Sequence, residues 1–104
     1  MIVCLIEFGV RPGMEEANVQ TVQELLKEVA KIDGFLSKET FESKNESGKL
    51  LTVSYWRDAE SLRAWMTNVP HMAGMRRGKK EIYSHYTIRV AEIQRENIWR
   101  APVT

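Results

Sequence analysis

The first strand constrains this chain most, because it is apolar on both sides. Ile2, Cys4, Ile6, Phe8 and Val10 alternate with Val3, Leu5, Glu7 and Gly9, and the second set stays apolar up to Glu7. Such a strand needs cover on both faces. The run Lys49–Trp56 repeats the demand, with Leu51, Val53 and Tyr55 on one side and Leu50, Thr52 and Trp56 on the other. At 104 residues the chain is one domain, with a core large enough to fold but small enough to favour a partner.

The rest of the chain supplies the elements around that strand. Arg11-Pro12-Gly13 breaks it and leads into a helix from Glu15 to Ile32, where Val19, Val22, Leu25, Leu26, Val29 and Ile32 follow one helical stripe. Glu15 and Glu16 favour its start, and Gly34 its stop. Phe35–Ser43 and Lys49–Trp56 are β-rich, and the polar, Gly-containing stretch Lys44–Gly48 suits a hairpin loop between them. Asp58 then caps a helix carrying Leu62, Trp65, Met66 and Val69 at i, i+3, i+4 and i+7. Pro70 cannot continue that helix, but it suits the first turn of a new one capped by Asn68 and running to Gly78. A last strand, Glu81–Gln94, sets Ile82, Ser84, Tyr86, Ile88 and Val90 against Tyr83, His85, Thr87, Arg89 and Ala91.

The order is β-α-β-β-α-β, an α+β ferredoxin-like sandwich. It spans residues 1–94, and residues 95–104 form a C-terminal extension. Helices can cover only one face of such a sheet, so a homodimer stacking sheet on sheet is expected for the other. Ile98 and Trp99 in the extension are placed to reach the partner, since an exposed Trp without a role is unusual.

Charge excludes some functions. Lys plus Arg (15) nearly balances Asp plus Glu (14), which leaves no field to draw the chain onto nucleic acid or membrane. Arg76, Arg77, Lys79 and Lys80 sit where a helix ends, and cations there complement its dipole. Trp56, Trp65 and Trp99 lie on different elements, which argues against a single-strand stacking platform. Cys4, the single cysteine, reads as a small core hydrophobe, and no zinc spacing, phosphate loop or nucleophile elbow is present. Met1–Val10 lacks a basic leader and is too short to span a bilayer, so a cytoplasmic location is expected.

Val53–Val90 gathers Trp65, Asn68, His71, Tyr83, His85 and Tyr86, polar-tipped side chains suited to lining a cavity. His71 falls in the first turn of a short helix, whose N-terminus disfavours extra positive charge and keeps imidazole neutral. A neutral His facing a cavity is a suitable base for a phenol, and a surface or capping His is the plainer reading. Trp65 is either core or cavity wall, and these overlap. Asn68 is most simply an N-cap, though its amide could bind a substrate carbonyl. Strand alternation puts Tyr83 and His85 on one face and Tyr86 on the other. Either Tyr86 meets Trp65 and His71, or the opposite face does; the sequence leaves both open.

These residues resemble the antibiotic-biosynthesis monooxygenase family over nearly the whole chain. The resemblance rests on Pro12-Gly13 before the first helix, Gly34-Phe35 opening the second strand, and Trp56 closing the third. It rests too on Trp65 with His71 six residues on, and on the Y-x-x-Y of Tyr83 and Tyr86. It implies a dimeric α+β barrel and cofactor-independent oxygenation of a small aromatic phenol or quinol. On that reading His71, Trp65 and Asn68 are catalytic, and Tyr86, Tyr83, Trp56 and His85 bind substrate. No tightly bound cofactor is expected. The family's haem-degrading branch, in which haem is ligand or substrate, is the alternative. It uses an Asn on the first strand, where this chain has Glu7, and an axial His further along the helix than His71. A non-catalytic dimeric module binding a small metabolite is the third reading.

Overall fold

A computed structural model describes residues 1–103. The elements are β1 (Ile2–Val10), α1 (Glu15–Val29), β2 (Phe35–Glu42), β3 (Leu50–Trp56), α2 (Ala59–Met66), α3 (Val69–Arg77) and β4 (Tyr83–Glu92), with a π-helical turn at Gly78–Ile82 before β4. The sheet order is β2-β3-β1-β4, and every neighbouring pair is antiparallel. This is the ferredoxin-like arrangement read from the sequence.

Alternation along β1 divides its side chains between two environments. Cys4 is buried in the core with Val29, Trp56, Leu62 and Trp65, and Ile2 and Ile6 pack against that group. Val3, Leu5 and Glu7 pair with Tyr55, Val53 and Leu51 of β3 and point to the opposite, open face. On that face Tyr55 and Phe41 are exposed, and Arg89 bridges to Glu7 at 3.2 Å.

The β2–α2 junction is held tightly. Gly34 has φ +91°, and any Cβ there would overlap the Ser61 side chain at the start of α2. Only glycine allows both the backbone angle and the approach. The Gly34 carbonyl accepts from the Arg57 backbone N–H at 2.8 Å, and the Arg57 guanidinium forks onto Asp33 with two bonds of 3.2 Å.

Two irregularities depart from simple alternation. The β1–β4 register shifts between Gly9 and Val10, and the β2–β3 register shifts between Phe35 and Ser37. Each adds a residue to one strand and so moves the next side chains to the other face. Ile82, expected in the last strand, instead lies buried in the π turn. Among the described residues after Glu92 there is no regular secondary structure, and Ile98 and Trp99 are exposed.

Candidate functional site

The sheet and the three helices enclose a cavity of ≈ 70 Å³. Helix capping builds one of its walls. Asp58 precedes α2, and its Oδ1 accepts from the Ser61 backbone N–H at 2.8 Å and from Ser61 Oγ at 2.7 Å. These bonds, with help from Arg57, hold the Asp58 carboxyl at about 2. The cap fixes the rotation of α2, so that Leu62 and Trp65 face inward.

The chain then breaks at Thr67. Asn68 Oδ1 accepts from the His71 backbone N–H at 2.9 Å and starts α3, with Pro70 in its first turn. In one unbroken helix, residues 65 and 71 would point about 120° apart. The break folds His71 back instead, and its ring stacks on Trp65 with centroids 4.2 Å apart and planes at 30°.

Burial in the cavity shifts its titratable groups toward their neutral forms. Burial, and then the Lys38 ammonium, push His71 down to about 4, against a weaker opposing pull from the Trp65 carbonyl. His71 is therefore a free imidazole at neutral pH. Burial raises the Cys4 thiol despite a hydrogen bond from Ser54, and burial followed by the nearby Tyr86 raises the Tyr83 phenol. Lys38, from β2, is lowered by burial. His71 Nδ1 and Thr21 Oγ1 are buried without a hydrogen-bond partner, and both residues line the cavity. Such orphans are uncommon in folded proteins and call for an explanation.

The structure brings together Trp56, Trp65, His71 and Tyr83 of the residues singled out from sequence. Trp56 is 1% exposed and donates its indole N–H to Ser54 Oγ at 2.9 Å. Asn68 lies outside the lining, with its Oδ1 engaged in the cap. His85 is exposed opposite Gly9, with Nδ1 3.0 Å from Ser84 Oγ.

The strand-face argument needs correction. Alternation separates Tyr83 from Tyr86, yet the Gly9/Val10 bulge places both on the helix-covered side. Tyr86 pairs with Phe8, while Tyr83 packs edge-on against both Phe8 (5.4 Å) and Tyr86 (6.1 Å). Tyr83, not Tyr86, reaches the cavity. Sequence reasoning also missed Lys38 and Thr21. Neither carried a signal, since a Lys on a polar strand and a Thr on a helix read as surface residues.

Among the described residues, no cluster of three or more His, Cys, Asp or Glu could hold a metal ion, and no helix is long and apolar enough to cross a membrane.

The comparisons with known proteins agree with this geometry. The chain is 28% identical over 93 residues to a protein named jasmonate monooxygenase ABM from Pyricularia oryzae, covering 89% of this chain but 43% of that protein. It is 27% identical over 81 residues to the uncharacterised protein YqjZ of Bacillus subtilis, covering 78% of this chain and 69% of the relative. Two solved structures share the fold. Rv0793 from Mycobacterium tuberculosis has a TM-score of 0.79 at 16% identity, covering 91% of this chain and 96% of that one. A candidate antibiotic biosynthesis monooxygenase from Deinococcus radiodurans has a TM-score of 0.83 at 12% identity, covering 97% and 100%. The sequence profile described as antibiotic biosynthesis monooxygenase matches residues 1–77, taking in every element up to the end of α3. The chain belongs to the antibiotic biosynthesis monooxygenase family.

Proposed function

We propose that this protein is a monooxygenase of a small aromatic phenol or quinol, working without a tightly bound cofactor. The observation that carries the reading is the neutral His71, stacked on Trp65 in a small cavity with its Nδ1 unpartnered. That nitrogen is free to take a proton from a ligand hydroxyl. The resulting anion is electron-rich enough to react with dioxygen directly. For a phenol the sum balances without a further reductant: a ring C–H and the O–H become the two carbonyls of a quinone. One oxygen atom enters the ring and the other leaves as water. The relative named jasmonate monooxygenase supports oxygenation of a small organic molecule by this type of domain.

Access comes from a groove between α1 and α3. The closed cavity has room for dioxygen or a few water-sized groups, but not for an aromatic ring. A groove of ≈ 330 Å³ shares Thr21 and Leu25 with it, and Leu25 packs closely on Gly74 across the groove. Displacement of Leu25 joins the two spaces into a volume in the range of small-molecule sites. Haem fits less well. It needs far more room than ≈ 70 Å³, and the ring that would ligate its iron is stacked on Trp65.

The active species in this reading is a homodimer. Val3, Leu5, Leu51, Val53, Tyr55 and Phe41 form an apolar surface on the open sheet face, which a second copy would bury. The radius of gyration is 15.1 Å, against about 13 Å for a compact chain of this size, and the extension leaves Ile98 and Trp99 exposed.

Oxygen uptake from a panel of hydroquinones, naphthohydroquinones and anthrones tests the function. Uptake above the autoxidation rate is expected, and His71→Ala should lower it by about 10²–10⁴-fold. No acceleration across the panel would defeat the enzyme reading. Full activity in His71→Ala would remove the base assignment alone.

A further inference from the structure

His71 cannot ionise a phenol unaided. A phenol resembles tyrosine, near 10, while His71 stands at about 4. That gap amounts to about six orders of magnitude in the proton-transfer equilibrium. Something else in the cavity must favour the anion.

The charged groups around the cavity leave one candidate. Its titratable lining residues are Cys4, Lys38, His71 and Tyr83, and no Asp or Glu is among them. Burial favours the neutral forms of Cys4, His71 and Tyr83. Burial lowers Lys38 as well, but its ammonium is the charge that acts on His71, and among the described residues no carboxylate pairs with it. Its position is set by the β2 bulge. Beyond the shift between Phe35 and Ser37, Lys38 pairs with Ser54, which also lines the cavity, and so faces the helices. A half-buried lysine usually extends its ammonium to water along an apolar surface. Here it borders an enclosed space that also contains unpartnered acceptor and donor atoms on His71 and Thr21. A cation left unpaired beside a low-dielectric cavity favours any anion that enters.

We infer that Lys38 is the specificity-determining residue of this cavity, which selects oxyanionic ligands — phenolates and enolates — over their neutral forms. The inference rests on the cavity being the ligand site proposed above. Lys38 stabilises the oxyanion, His71 receives the proton, and Trp65 offers its face to the ring. Substrates with an acidic hydroxyl on an electron-rich ring are favoured, and O-methylated analogues are excluded from the anionic route.

A chromophoric phenol tests this directly. 4-Nitrophenol is titrated with the full-length protein across a pH series, and phenolate absorbance reports the ionisation of the bound ligand. Its apparent pKa should fall by about 1–3 units on binding, the effect typical of one adjacent opposite charge. Lys38→Met should abolish that fall, weakening phenolate binding by about 10–1,000-fold, while leaving the affinity for 4-nitroanisole unchanged. A wild-type protein that does not bind the phenolate, or binds it without lowering its pKa, overturns the inference whatever the variant does. So does equal phenolate affinity in Lys38→Met. Oxygen uptake is read separately: Lys38-dependent phenolate binding with no uptake from any quinol upholds the inference and defeats only the monooxygenase reading.

Discussion

The two faces of the sheet are built from alternate residues of the same strands, yet they differ in completeness. On the helix-covered face, Cys4, Trp56, Leu62 and Trp65 pack into a closed core, and the Trp56 indole donates to Ser54. On the open face, Leu5, Leu51 and Val53 remain partly exposed, and Glu7 and Arg89 pair only with each other. One chain suffices to finish the first face. The second keeps hydrophobic surface exposed among the described residues, Tyr55 and Phe41 included. On the function and dimer proposed above, chemistry and assembly would be separated by one residue of strand period.

The sharpest way to break that contrast is to damage the finished face. Trp56→Ala should destabilise the protein by about 3–5 kcal/mol, the usual cost of deleting a fully buried aromatic. Denaturant unfolding at fixed protein concentration measures it, and a loss under about 1 kcal/mol would mean the core is less complete than described. Next comes the open face. Val53→Glu should weaken dimerisation by about 100-fold or more, because a carboxylate buried without a partner costs several kcal/mol. Light scattering at micromolar concentration reads the result, and an unaltered dimer would show that copies meet elsewhere. A wild-type monomer in the same assay would end the dimer reading.

A smaller effect concerns pH. His71 binds its proton less readily in the folded state (about 4) than in the unfolded chain (6.5). Between those values the unfolded state holds more protons, so stability is full above 6.5 and declines as pH falls toward 4. Of the other titratable groups lining the cavity, burial raises Cys4 and Tyr83 and lowers Lys38, and all three are common to both proteins in the comparison that follows. Thermal midpoints measured from pH 7 to 4 should drop more steeply for wild type than for His71→Gln. Parallel curves would mean that the ring is hydrated. The smallest change expected is Asn68→Ala, a loss of about 1 kcal/mol from the missing cap. If Asn68 also touches substrate, oxygen uptake falls further than stability accounts for.

The elements most legible in the sequence were those with one uninterrupted period. The α1 stripe and the alternation of β1 and β3 gave both the fold and the exposed second face. The capping residues Asp58 and Asn68 located the helix starts, which placed Trp65 and His71 at the break between α2 and α3. Neither bulge could be read in this way. An added residue changes which face a side chain takes without altering composition or hydrophobicity. Tyr83 was therefore grouped with His85, although it packs with Phe8 and Tyr86. Lys38 was passed over for the same reason: its chemistry depends on an enclosed space that no local pattern announces.

The Gly9/Val10 bulge and the π turn at Gly78–Ile82 lie side by side, the Arg11 amide donating to the Ile82 carbonyl at 2.7 Å. Each adds a residue beyond the regular repeat. The junction can therefore absorb the loss of a residue without disturbing the pairing on either side of it. A codon lost at Ser84, the unpaired residue of the bulge, would leave Tyr83 opposite Val10 and every other lining residue in place.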